Sequence, residues 1–238
     1  GRVAVITDTR ARCKRLIFHP QILPSQVILD PELTLSLPAK LTAATGMDAL
    51  SHSLEAYCAP TYHPMAEGIA LRGIGLVKDY LPRAVADGND LEARTQLLVA
   101  STMGATAFQK GLGAMHALAH PLGARYNAHH GLLNAILMPY VLQANRSVLN
   151  DKLKDLARAL NLENPGFAAV FDWVLALRET IGIPNALEAI GITADEAELI
   201  GEQAADDATA ATNPLPFNAA QYAALFRHAV AGEFGAID

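Results

Sequence analysis

The sequence predicts a mainly α fold: one helical domain over residues 40–238, preceded by a short strand-bearing segment over residues 1–39. Two observations carry this. Ala and Leu are abundant while aromatics make up only 6% of the 238 residues, a balance that favours packed helices over a β-sandwich or barrel. From Ala39 onward apolar residues recur at spacings of three and four, which stacks them on one face of a helix.

Before that point the texture differs. VAVIT, RLIF and SQVIL are short β-branched or apolar runs broken by Pro20, Pro24, Pro31 and Pro38, the pattern of strands and loops. Val3 to Thr7 reads as a buried strand with nothing before it to pair with, and Gly1 stands where Met would. A truncated or processed chain is the expectation. The helical pattern then runs through KLTAATGMDALSHSLEAY, MAEGIALRGIGLVKDYL and LEARTQLLVASTMGATAF. AILMPYVLQAN is nearly all apolar and expected to be buried on every side, and LKDLARAL, FAAVFDWVLALRETI and QYAALFRHAV complete the series. Thr193 with Glu196 fits a capping box, and Asn218 is the expected N-cap after the turn-forming NPLPFN.

Composition also excludes function classes. A formal net charge of −6 and a pI near 5.7 argue against a nucleic-acid partner, and the cluster Arg10, Arg12, Lys14, Arg15 is too short to reverse that. Two cysteines, Cys13 and Cys58, are too few for a disulfide framework or a zinc ribbon and suit a reducing compartment. No run of ~18 apolar residues suggests a membrane span, and the first residues lack the order of a signal peptide. A cytoplasmic location is expected.

The chemistry concentrates in two segments holding five of the eight histidines. In GMDALSHSLEAY, Asp48 and His52 lie four apart, one helical turn above each other, with Glu55 close by. Alone, such a pair is more often an ordinary helix-surface pair. In MHALAHPLGARYNAHHG, His116 and His120 are again four apart, Pro121 is expected to interrupt the helix, and His129 and His130 follow. On an unbroken helix His116 and His130 would stand about 21 Å apart, so they share an ion only if the chain folds back. Pro121, Gly123 and Asn127 supply breaking residues for that return, leaving His129 or His130 to open the next helix. A single His is most often a hydrogen-bonded core or surface residue. HxxxH with further His beyond a break, plus DxxxH elsewhere, points instead to a divalent cation with an open position, the form of a catalytic site. Nitrogen and oxygen ligands suit Fe²⁺, Zn²⁺, Mn²⁺ or Ni²⁺ alike. The glycines of GLGAMH and GIG do not complete a dinucleotide fingerprint and read as packing glycines. His19, His63 and His228 read as structural, and Trp173 with Phe167 and Phe171 reads as core.

LTAATGMDALSHSLEAY followed by GLGAMHALAHPLGARYNAHHGLLNAILMPYV resembles the two signature segments of the iron-containing (group III) alcohol dehydrogenases. The resemblance extends upstream through VAVITD and VILDPEL and downstream through NPLPFN. It implies the helical metal-binding domain of the iron-containing alcohol dehydrogenase and dehydroquinate synthase-like fold, with residues 1–39 a remnant of the α/β nucleotide-binding domain. By resemblance Asp48, His52, His116 and His130 are the metal ligands, with Fe²⁺ the first expectation and Zn²⁺ the second. His120 lines the substrate and nicotinamide pocket as a proton relay, and Lys14 contacts the NAD or NADP. His129 stands where relatives often carry proline, which leaves its role open. The family's GGGS-like phosphate-binding turn and its TGS segment are missing.

The implied reaction is hydride transfer between a small alcohol or aldehyde and NAD(P), assisted by the metal. The chain as given is expected to bind metal with little or no turnover and to form a homo-oligomer, a dimer being the simplest. Two other readings stand beside this one. A metal-dependent hydrolase would use Glu55 as general base, and a non-catalytic metal-binding domain would use the ligands alone.

Overall fold

The β-branched runs of VAVITD and CKRLIF form an antiparallel hairpin in the computed structural model, which describes residues 3–237. Strand β1 (Val3–Asp8) pairs with β2 (Cys13–Phe18), Val3 facing Phe18 at one end and Asp8 facing Cys13 at the other. Asp8 closes the turn by accepting from the backbone N–H groups of Arg10 and Ala11, a side-chain mimic of a backbone turn. Two expectations fail here. β1 is not buried: Val5 and Ile6 are about half exposed, because among the described residues the sheet has two strands and no layer covers its outer face. SQVIL is not a strand either. It runs as coil, flanked by prolines and without a neighbour to supply the ladder a strand needs.

Nine α-helices follow among the described residues: α1 (Ala39–Cys58), α2 (Pro64–Ala86), α3 (Leu91–Ala107), α4 (Ala114–Tyr126), α5 (His130–Ala144), α6 (Arg146–Ala159), α7 (Phe167–Thr180), α8 (Ala197–Ala205) and α9 (Ala219–Ala231). The fold is mainly α, as the sequence predicts. Helix α1 lies at the centre, packed on α2, α3 and α5, while α4 contacts α5 and α8, and β2 lies against α4. Met47, Leu50 and Leu54 of α1, Met115, Leu118 and Leu122 of α4, and Leu133 and Ile136 of α5 are fully or almost fully buried. From Leu133 to Leu142 helix α5 is buried on every side, as its apolar sequence requires.

Two buried cations hold α1 at its ends. The Arg94 guanidinium donates to Thr42 Oγ1 (2.7 Å) and to the Leu37 carbonyl (3.2 Å). Lys110 Nζ donates to the carbonyls of Ala56 (3.0 Å), Tyr57 (3.2 Å) and Ala59, filling acceptors that a helix C-terminus leaves open and placing positive charge where the helix dipole favours it. Helix α9 begins with the Asn218 cap, completed into a capping box by Gln221. The Thr193–Glu196 box does not form. Thr193 Oγ1 donates to Asp195 (2.7 Å) and Glu196 turns to Arg125 and Tyr126, since a guanidinium outcompetes a backbone N–H for a carboxylate.

Candidate metal centre

The first turn of α4 explains why Glu55 is where it is. Gly113, its N-cap, has no side chain to offer. Asn213 Oδ1 accepts from Ala114 N (3.1 Å) and Glu55 Oε1 from Met115 N (2.7 Å), so the α4 N-terminus is capped from two other parts of the chain and draws a carboxylate under it. Its other oxygen meets His116 Nδ1 at 2.7 Å. Contrary to expectation, Pro121 does not interrupt α4, which runs on to Tyr126. The proline removes one N–H from a helix that is buried along this stretch, and packing holds the helix together. The reversal comes at Asn127, which takes the left-handed conformation (φ 52°) that ends helices. His129 then caps α5, its ring accepting from Leu132 N, and His130 opens the helix.

Helix α5 comes close to α1 at Gly131, where a Cβ would lie 2.4 Å from the Ala44 carbonyl oxygen. Only glycine permits this approach, and it brings His130 beside Asp48. One ligand atom from each of Asp48, His52, His116 and His130 lies within 4.8 Å of every other. His130 Nε2 is 3.6 Å and His52 Nε2 3.9 Å from the Asp48 carboxylate, and the His52 and His116 rings stack at 4.9 Å. The structure therefore brings together the four residues that the family resemblance implies, drawn from the segments that hold DxxxH, HxxxH and HH.

The donors fit a divalent cation. Burial pushes Asp48 up, but His52, His130, His116 and the Asn134 amide outweigh it, so its carboxyl sits below the usual value. Burial, reinforced by the neighbouring imidazoles, pushes His116 well down, and burial lowers His130 to about 4 against the pull of Asp48. An ionised carboxylate with imidazoles kept neutral is the protonation state that binds metal. Ligands at about 2.0–2.2 Å from one ion stand at most about 4.4 Å apart, so the widest pair needs to close by only a few tenths of an ångström. His116 is buried while Asp48, His52 and His130 are partly exposed, which leaves one side of the cluster open.

Three neighbouring residues complete the surroundings. Asn134, one turn beyond His130, donates through Nδ2 to Asp48 Oδ1 (2.8 Å) and lies within 3.3 Å of both His116 Nε2 and His130 Nε2. His120 Nδ1 meets Asp207 Oδ2 at 2.8 Å, and its ring stacks on His130 at 5.6 Å. Lys14 lies on β2 across a hollow of about 220 Å³ that it shares with Arg15, His120 and Asp207. Sequence reasoning missed Asn134 and Asp207. A polar residue four beyond His130 in an apolar run was a usable signal for the first, whereas Asp207 carries none.

Glu55 is nearly inaccessible, with both oxygens taken by Met115 N and His116 Nδ1. It has no free face for activating a water, which removes the support for the hydrolase reading.

The half-open cluster of one carboxylate and three imidazoles is a set of donors that could hold a single divalent cation. The description "Fe-containing alcohol dehydrogenase family, C-terminal" matches residues 42–230, and the chain belongs to the iron-containing alcohol dehydrogenase family. It is 41% identical to a 4-hydroxybutyrate dehydrogenase of Cupriavidus necator, covering 93% of this chain and 59% of that protein. It is 34% identical to an NAD-dependent methanol dehydrogenase of Bacillus methanolicus, covering 96% and 62%. The crystal structure of a 1,3-propanediol oxidoreductase superposes with a TM-score of 0.91 at 36% identity, over 96% of this chain and 62% of that one. The chain thus spans about three fifths of the length of the curated relatives it matches. Among the described residues no helix is long and apolar enough to cross a membrane.

Proposed function

We propose that this chain is the metal-binding catalytic part of an NAD(P)-dependent alcohol dehydrogenase, acting on a small alcohol or its aldehyde. The observation that carries this is the convergence of Asp48, His52, His116 and His130 on one point. In this reading those four residues hold the cation, Fe²⁺ first and Zn²⁺ second, and residues 40–238 form the catalytic domain. Residues 1–39 belong with the nucleotide-binding domain.

A cation bound there supplies Lewis acidity that makes an alcohol hydroxyl easier to deprotonate, and the nicotinamide supplies the hydride acceptor. The chain's own residues do the rest. Glu55 holds His116 by its Nδ1 so that Nε2 faces the cluster. Asn134 steadies the Asp48 carboxylate. His120, beside the cluster at the hollow, takes up the hydroxyl proton at Nε2. Lys14, facing the same hollow, meets the cofactor. The apolar side chains beneath α4 and α5 close the rear of the site to water.

For the 238 residues by themselves we propose metal binding without appreciable turnover, since no glycine-rich strand-to-helix turn for a pyrophosphate exists among the described residues. A cytoplasmic homodimer is the setting that the free cysteines and the family resemblance support. Elemental analysis of the purified chain, together with alcohol oxidation assays using NAD⁺ and NADP⁺, tests this. About one cation per chain, lost in Asp48→Ala, supports the reading. No cation after reconstitution with Fe²⁺ or Zn²⁺ would sink it.

A further inference from the structure

Asp207 belongs to no motif. It follows α8, two residues beyond its end, and its side chain is buried against that of His120. Both of its oxygens are engaged. Oδ2 meets His120 Nδ1 at 2.8 Å, while Oδ1 accepts from Thr209 N (2.8 Å) and from Thr209 Oγ1 (2.6 Å). Two donors on Oδ1 hold the carboxylate as an acceptor, so the hydrogen in the His120 contact belongs to the imidazole. In the neutral ring the single N–H therefore sits on Nδ1. Nε2 then carries the lone pair. It has no hydrogen-bond partner among the described residues, and the ring borders the hollow shared with Lys14 and Arg15.

We propose that Asp207 is a positioning residue that fixes His120 in the Nδ1–H tautomer, with Thr209 locking the carboxylate, so that Nε2 is left as a bare proton acceptor. The use made of that acceptor rests on the dehydrogenase reading above; the tautomer does not. In alcohol oxidation the C–H bond breaks with its electron pair passing to NAD(P)⁺, the C=O bond forms, and the hydroxyl proton goes to His120 Nε2. The resulting imidazolium carries a hydrogen on each nitrogen, the one on Nδ1 still donated to the Asp207 carboxylate. In aldehyde reduction the same proton returns from Nε2.

Imidazole ¹⁵N spectra of the chain, recorded metal-free and with Zn²⁺ at a pH where the rings are neutral, test this without any turnover. The expected result is an Nδ1-protonated pattern for His120 in the parent. In Asp207→Asn, whose amide can donate to Nδ1, it should convert to the Nε2-protonated pattern, with the His116 pattern unchanged as a check on the fold. Thr209→Val, which removes one of the two locking bonds, should give a mixture and provides a second route if Asp207→Asn does not fold. An Nε2-protonated His120 in the parent, or an unchanged pattern in both variants, would overturn the proposal. Failure of the dehydrogenase reading has a different signature: no Zn²⁺ taken up, with the His120 pattern still readable in the metal-free sample.

Discussion

His116 and His120 stand one turn apart on α4, and each presents Nδ1 to a buried carboxylate, Glu55 at 2.7 Å and Asp207 at 2.8 Å. The device is the same, but the surroundings of the two rings are not. His116 Nε2 lies 3.3 Å from the Asn134 amide inside the cluster with Asp48, His52 and His130. His120 lies just outside, bordering the hollow that Lys14 also lines. The carboxylates differ in origin too: Glu55 comes from the central helix α1, Asp207 from the turn after α8. A carboxylate behind an imidazole settles which nitrogen is free; what the free nitrogen faces settles whether the ring serves as a ligand or as a proton carrier.

The largest effect separates the two histidines directly. His116→Ala is expected to abolish metal binding, because it removes a proposed ligand and leaves the buried Oε2 of Glu55 without its partner. His120→Ala is expected to keep the parent's metal content. Metal content measured after reconstitution and desalting checks both, and loss of metal in His120→Ala would erase the distinction. The next effect separates the two carboxylates. Glu55→Gln should weaken metal affinity by roughly 10–100-fold in a competition titration against a chelator, while Asp207→Asn should leave it unchanged. Equal losses in the two variants would mean that both carboxylates serve the cluster.

Much of this was legible in the sequence. The helical fold follows from apolar spacing; DxxxH, HxxxH and HH mark the two segments that meet, and the family resemblance implies which four of their residues form the cluster. The turn that unites them is legible in part: Asn127, one of the three breaking residues, makes the reversal, whereas Pro121 does not break α4, because the surrounding core holds the helix together through it. Glu55 could be noticed but not assigned, because its role depends on the N-terminus of α4 arriving above it from 60 residues away. Asp207 could not be found at all, since its partner lies 87 residues earlier and only the packing of α8 on α4 brings them together. The third strand expected from SQVIL failed for the related reason that a strand is defined by a neighbour, which composition does not report.

The smallest effect concerns the metal-free chain and its response to pH. Folded His130 keeps its lone pair down to about pH 4, chiefly through burial, and His116 is pushed well down for the same reason, whereas an unfolded imidazole takes up a proton near pH 6.5. Between those values the unfolded chain binds more protons than the folded one, so stability is fully present above about 6.5 and falls as pH drops towards 4. Asp48 adds nothing in that window, because its folded carboxyl lies below 3.8 and its contribution is lost only at lower pH. The thermal midpoint of the metal-free chain should therefore be level above pH 6.5 and decline through the window, and His130→Gln should decline less steeply. A level midpoint down to pH 4, or a His130→Gln profile as steep as the parent's, would show that the cluster does not hold its imidazoles neutral.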